Sequence, residues 1–159
     1  MRRLPHAGAA LYILYILSAP TLAHADAGEL LVGAEAKGEL TPAAGVDAVA
    51  QFGLNDLVSL RGWLGGRYGE ASASSTRAAL DVGVGVVCAW DVLSWVPELM
   101  LGGGVRSRAG GAAAETLATV ALRRFFGPTW SLSIGGGGGW RFDGNAYGTA
   151  HIGLWRRLP

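Results

Sequence analysis

The residues that could do chemistry are few, and their spacing does not favour it. Beyond the first 25 residues the chain holds a single histidine, His151. A hydrolase needs a nucleophile within reach of such a base. No serine lies one or two residues from His151 and no His-x-Ser spacing occurs, so a hydrogen-bonded histidine is expected there. Carboxylates such as Asp81 and Glu98 are suited to acid–base work, but cations of matching number share their strand face and point to structural ion pairing. Cys88 is the only cysteine, which rules out an internal disulfide and multi-cysteine zinc or iron–sulfur sites. On an apolar strand face it reads as a small hydrophobe. The run Gly135–Gly139 is followed by no Lys-Ser/Thr, so it is not a phosphate loop. No basic patch suggests nucleic acid. The sequence therefore assigns no catalytic residue, no metal ligand and no cofactor site.

What must position these side chains is a series of strands. Alternation with period two dominates the chain after residue 25. It predicts eight strands: Glu29–Gly38, Gly45–Leu54, Leu57–Arg67, Arg77–Trp90, Glu98–Arg106, Ala114–Arg123, Trp130–Arg141 and Tyr147–Trp155. Short connections favour antiparallel neighbours. Asn55-Asp56 reads as a two-residue hairpin turn, and Gly127-Pro128 as the turn before the seventh strand. The expected loops at the opposite end are Glu39–Ala44, Tyr68–Thr76, Ser107–Ala113 and Phe142–Ala146, all short and built of small residues.

One face of each strand is apolar; Leu80, Val82, Val84 and Val86 in the fourth are the clearest case. The opposite face collects Glu35, Asp47, Asp81, Glu98 and Glu115 against Lys37, Arg61, Arg67, Arg106 and Arg123, a balance that suits mutual pairing. Alternation alone does not say which face looks inward. In a soluble lipocalin-like barrel the apolar face points in; in a transmembrane barrel it meets lipid.

Three features favour the membrane arrangement. Large rings gather near strand ends, as in the aromatic girdles of membrane barrels. One expected girdle holds Phe52, Trp90, Trp95, Phe125, Phe126, Trp130 and Trp155, the other Tyr68, Trp140, Phe142 and Tyr147. Trp63 falls mid-strand on the charged face and is expected to plug the lumen. Glycines alternate with the long charged side chains, as a crowded eight-strand lumen requires. Most strands hold about nine to eleven residues or slightly more, the tilted length that crosses a bilayer.

The N-terminus reads as a cleaved, Sec-type signal over residues 1–25. Arg2 and Arg3 precede the apolar run Ala9–Leu17, Pro20 breaks it, and Ala23-His24-Ala25 is an A-x-A cleavage site. The run is too short to span a membrane as a helix. The expected mature domain is 26–159. Loss of Arg2 and Arg3 leaves 11 basic against 12 acidic residues, a net charge of −1.

Strand number, alternation and girdles resemble the small eight-stranded outer-membrane β-barrels, the superfamily of OmpA-like transmembrane barrels, over the whole mature chain. A more local resemblance lies in the segment from Asp91 through Pro97, followed by Glu98–Val105. It is similar to the D-x-L-x-x-x-P turn that enters a glycine-rich strand in uncharacterised outer-membrane β-barrel domain proteins. The resemblance implies residence in the outer membrane of a Gram-negative bacterium, contact with its lipid, and delivery by periplasmic chaperones and the barrel-assembly machinery. The chain departs from that pattern at its end, where Trp155 is followed by Arg-Arg-Leu-Pro159 rather than closing on an aromatic.

The expectation is thus an all-β, eight-stranded, antiparallel up-and-down transmembrane barrel. It is a monomer with a structural or surface-interaction role and no catalysis. A narrow pore and a soluble periplasmic barrel that binds an apolar ligand are the alternatives.

Overall fold

The computed structural model describes residues 27–40, 43–72, 75–90, 95–108 and 111–159. The expected signal segment lies outside the described residues. Eight strands follow one another: β1 (Leu30–Glu39), β2 (Ala43–Gly53), β3 (Val58–Ser72), β4 (Ser75–Ala89), β5 (Val96–Arg108), β6 (Gly111–Phe126), β7 (Trp130–Arg141) and β8 (Ala146–Leu158). Each pairs antiparallel with its neighbours, and β8 pairs antiparallel with β1 from Leu30↔Leu158 to Glu39↔Thr149, so the sheet closes on itself. Closure removes every free strand edge, which would otherwise leave backbone N–H and C=O groups unpaired.

The strands form where sequence alternation put them, but several run further than expected, β6 to Phe126 and β8 to Leu158 at the Leu30 end and others at the Glu39 end. The segment expected as a loop over Tyr68–Thr76 is mostly ladder, with pairs Tyr68↔Ala78 and Glu70↔Thr76 and an irregularity before Ser72↔Ser75. Likewise β5 and β6 stay paired out to Arg108↔Gly111. Small residues such as Ala112 and Ala113 carry a weak face pattern, yet they add rungs readily once flanking strands hold them in register.

The turns also differ from expectation. The β2–β3 connection spans residues 54–57 rather than two residues. A two-residue type I′ turn needs positive φ at both central positions, and among the described residues no non-glycine has positive φ. Instead Asn55 Oδ1 accepts hydrogen bonds from the backbone N–H groups of Leu57 and Val58, at 2.9 and 2.8 Å. Gly127 (φ 67°) and Gly144 (φ 97°) turn the chain before β7 and β8, where a left-handed backbone is required.

The two faces separate cleanly. Leu60, Leu64, Leu80, Val82, Val84, Leu101, Val120, Leu122, Ile134, Ile152 and Leu154 are exposed on the outside. The buried interior is mostly polar and charged. This is inverted relative to a soluble barrel, where the apolar side chains fill the centre.

Candidate functional site

Charged groups converge in the interior, and strand parity takes them there. Glu35, Lys37, Asp47, Arg61, Arg67, Asp81, Glu98, Arg106, Glu115 and Arg123 are all buried inside the barrel, and so is Trp63. They sort into two layers.

Near the Leu30 end, Trp155 is the centre. It is 0 % exposed, with the Arg61 guanidinium 4.3 Å from its ring centroid and that of Arg123 at 4.2 Å. Its indole N–H donates to Ser133 Oγ at 2.9 Å. Arg61 reaches Glu35 at 2.7 Å, and Arg123 donates to Gln51 at 2.9 Å and Glu98 at 3.2 Å. Gln51 in turn donates to Ser59 at 2.8 Å. Two carboxylates and two guanidiniums balance in this layer.

The layer toward the Glu39 end is denser. Asp47 is paired with both Lys37 and Arg67. Arg67 also reaches Asp81 at 2.9 Å, and Asp81 lies 3.5 Å from Arg106 and accepts from the Trp63 indole N–H at 3.2 Å. Arg106 continues to Glu115 at 3.4 Å. Glu39 accepts from Arg106 at 2.5 Å and from Arg141 at 2.8 Å, and the Tyr147 ring lies 4.4 Å from the Arg141 guanidinium. Glu39, Asp47, Asp81 and Glu115 thus meet Lys37, Arg67, Arg106 and Arg141. Pairing of this kind is what keeps buried charges tolerable, because an isolated ion in a poorly hydrated space is strongly disfavoured.

Glycines make room for the interior rings. A Cβ on Gly83 would collide with the Trp63 indole, one on Gly153 with Trp155, and one on Gly139 with Tyr147. Gly135 does the same for His151. The glycine run of β7 is therefore the wall against which bulky side chains of β8 lie flat.

Three rings assigned to the girdles belong inside instead: Trp155, Phe125 and Tyr147 are all buried. They share parity with His151 and Arg123, and a pleated strand sends residues two apart to the same side. Nearness to a strand end had suggested the girdle; parity overrides it. Phe52, Trp90, Phe126 and Trp130 are exposed on the outside near the Leu30 end, and Tyr68, Trp140 and Phe142 near the other, while Trp95 is half-buried beside Arg124. Glu39 and Arg141 were not among the expected lumen residues, one being placed in a loop and the other at a strand end. Both have the parity of the charged face, so extending the alternation by one step would have found them.

Little space remains inside. The lumen cavity bordered by His151, Glu35, Arg61, Asp81 and Tyr147 has a volume of about 10 Å³, close to the room one water molecule needs. His151 Nε2, which has no hydrogen-bond partner, belongs to a side chain on its wall. Among the described residues, no group of three or more His, Cys, Asp or Glu is arranged to hold a metal ion. The buried interior is mostly polar and charged, unlike the apolar interior of a lipocalin-like carrier.

A closed eight-stranded antiparallel barrel, apolar without and ion-paired within, is the architecture of small transmembrane β-barrels. No protein-family model matches the chain, and no curated protein matches it in sequence. Solved structures do match. The N-terminal β-barrel domain of Pseudomonas aeruginosa OprF superposes with a TM-score of 0.63 at 12 % identity, covering 83 % of this chain and 98 % of that one. A de novo designed transmembrane β-barrel gives 0.61 at 16 % identity, over 86 % and 100 % of the two chains. Ail, the attachment invasion locus protein of Yersinia pestis, gives 0.52 at 12 % identity, over 82 % and 97 %. The chain has the fold of eight-stranded outer-membrane barrels.

Proposed function

We propose that this protein is a monomeric outer-membrane barrel of a Gram-negative envelope that serves as a sealed membrane element, with a structural or surface-interaction role and without catalysis. The observation that carries the reading is the filled lumen. Twelve paired charges and three interleaved rings leave a cavity of about 10 Å³, too small for a hydrated ion to pass. The outward apolar band supports lipid contact, and with it passage through periplasmic chaperones and the barrel-assembly machinery. The pore alternative loses support from the same filling, and the apolar-ligand carrier from the polarity of the interior.

Fractionation combined with gel mobility tests this. The protein is expected to resist salt washing, to be extracted by detergent, and to migrate differently before and after heating. Release by salt alone would exclude the membrane reading. Planar-bilayer recordings are expected to show no steady single-channel steps; regular steps would restore the pore.

The outside assignment has its own test. Val84 is 72 % exposed at mid-strand on the apolar face. Val84→Arg is expected to destabilise the barrel in lipid by about 2–4 kcal/mol, the usual cost of a cation near the bilayer midplane. In a soluble barrel the same change on an exposed strand position would shift stability by about 0.5 kcal/mol or less. Urea unfolding in vesicles of defined thickness measures the difference.

A further inference from the structure

The ion pairing of the interior leaves His151 out. Its side chain is 5 % exposed, and Nε2 has no hydrogen-bond partner. The ring stands on the wall of the lumen cavity of about 10 Å³. On one side it lies against Gly135 of β7, where a Cβ would collide with its Cε1 atom. On the other, the register sets it directly opposite Lys37 of β1, and both side chains are buried in the lumen. Residues opposite each other on antiparallel strands have Cβ atoms about 4.5–5.5 Å apart, and like charges there repel.

Charges reach this place from most of the wall. β1 brings Glu35, Lys37 and Glu39, β3 brings Arg61 and Arg67, β4 Asp81, β5 Glu98 and Arg106, and β6 Glu115; β8 adds the Tyr147 hydroxyl. Asp47 of β2 acts through Lys37, with which it pairs. These charges are already matched. Glu35 is held by Arg61 at 2.7 Å and Glu98 by Arg123 at 2.8 Å, while Glu39, Asp47, Asp81 and Glu115 are shared among Lys37, Arg67, Arg106 and Arg141. A neutral imidazole fits that balance. An imidazolium would add a cation for which no carboxylate is left over, in a cavity with room for about one water molecule, too little to hydrate an ion.

We propose that His151 is an acid-sensitive switch of the lumen: neutral, it leaves the charge balance intact and the barrel sealed; protonated, it opposes Lys37 and Arg61 and loosens the middle of the lumen so that water enters. The proposal rests on the sealed-barrel reading and goes beyond it by naming the condition under which the seal yields. The sign follows from linkage. In the unfolded chain an imidazole takes up its proton near pH 6.5, roughly the free value, and meets none of these cations. The unfolded state then binds more protons than the barrel, so stability falls as pH falls below about 6.5, by up to about tenfold in the unfolding equilibrium constant per pH unit.

Beyond residue 25 the chain carries no other histidine, so the response can be assigned to one side chain. Urea unfolding of the full mature barrel in phosphatidylcholine vesicles is compared at about pH 7.5 and about pH 5.5, on either side of that value, for the native protein, His151→Gln and His151→Phe. The phenylalanine keeps a ring against Gly135 and the glutamine keeps a polar group, so the comparison survives the misfolding of either one. Deuterium exchange of the Trp63 and Trp155 indole N–H groups, read by NMR in detergent micelles, reports water entry. The native barrel is expected to unfold about tenfold more readily at the lower pH, beyond any change that the variants share. Its indole protons are expected to exchange about tenfold faster than those of the variants at the lower pH and equally fast at the higher. A pH response common to all three proteins, or indole exchange at the lower pH that is the same in all three, overturns the switch. Planar-bilayer recordings at the higher pH keep the two readings apart: steady steps there sink the sealed barrel as well, whereas a silent barrel without a histidine-dependent response sinks only the switch.

Discussion

Asp81→Ala is expected to remove about 3–5 kcal/mol of stability, the usual consequence of deleting one partner of a buried ionic cluster. Asp81 is 1 % exposed and serves three groups at once: Arg67, Arg106 and the Trp63 indole N–H. Its loss leaves two guanidiniums facing each other without that carboxylate and a buried indole donor without an acceptor. Urea unfolding in detergent micelles, followed by tryptophan fluorescence, is the measurement. Removing the cation together with the anion makes the argument sharper. Arg67→Ala in the Asp81→Ala background is expected to recover part of the loss, because the second change takes away uncompensated charge, so the two effects are strongly non-additive. Additive losses, or an Asp81→Ala barrel as stable as the native one, would mean that the charges are solvated individually and that the interior is wetter than the packing shows.

Trp155→Ala should be comparably severe, at about 3–5 kcal/mol for truncation of a large buried ring. The ring is clamped between Arg61 and Arg123, and a desolvated cation–π contact is worth about 2 kcal/mol or more. The truncation therefore costs packing and also uncovers two cations whose carboxylate partners, Glu35 and Glu98, lie on other strands. Trp155→Phe separates these contributions. It keeps a ring between the guanidiniums and gives up the hydrogen bond to Ser133, so a loss of about 1 kcal/mol is expected. If the phenylalanine variant were as unstable as the alanine variant, the indole N–H bond, not the stacking, would be the dominant contribution. If neither variant lost stability, the ring would not be part of the packed interior. Channel recordings on Trp155→Ala are expected to stay silent, because the separate layer around Glu39, Asp81 and Arg106 still fills the lumen near the other end.

The same physical reason explains both the severity and the silence. In a barrel of this size each layer of the lumen is filled by side chains from several strands at once. One deletion disrupts a layer without making a passage through the next.

Much of the architecture was legible from the residues in order. Period-two alternation comes from covalent backbone geometry, so each strand carries its own record of which residues share a face. That record put Arg61, Asp81, Glu98 and Arg123 on one side and Leu80, Val82 and Val84 on the other. It reached Glu39, Arg141, Tyr147 and Trp155 as well, all of which have the inward parity. Tyr147 and Trp155 were assigned to the girdle because strand-end position was taken as the guide in place of parity, while Glu39 was placed in a loop and Arg141 at a strand end.

The folded barrel alone decided three matters. Partner choice is one: Glu35 on β1 meets Arg61 on β3, and Glu39 on β1 meets Arg106 on β5 and Arg141 on β7, contacts across the lumen that no sequence spacing encodes. The second is the position of the inward glycines, with Gly83, Gly139 and Gly153 each brought beside a ring by the register between neighbouring strands. The third is the extent of the strands at the Glu39 end, where alanine, serine and glycine carry too little face pattern to announce a strand, and pairing is imposed by the neighbours already in place. Alternation is a local property and can be read along the chain; closure and register are non-local, set by how eight strands fit around one axis, and they determine which inward side chains touch.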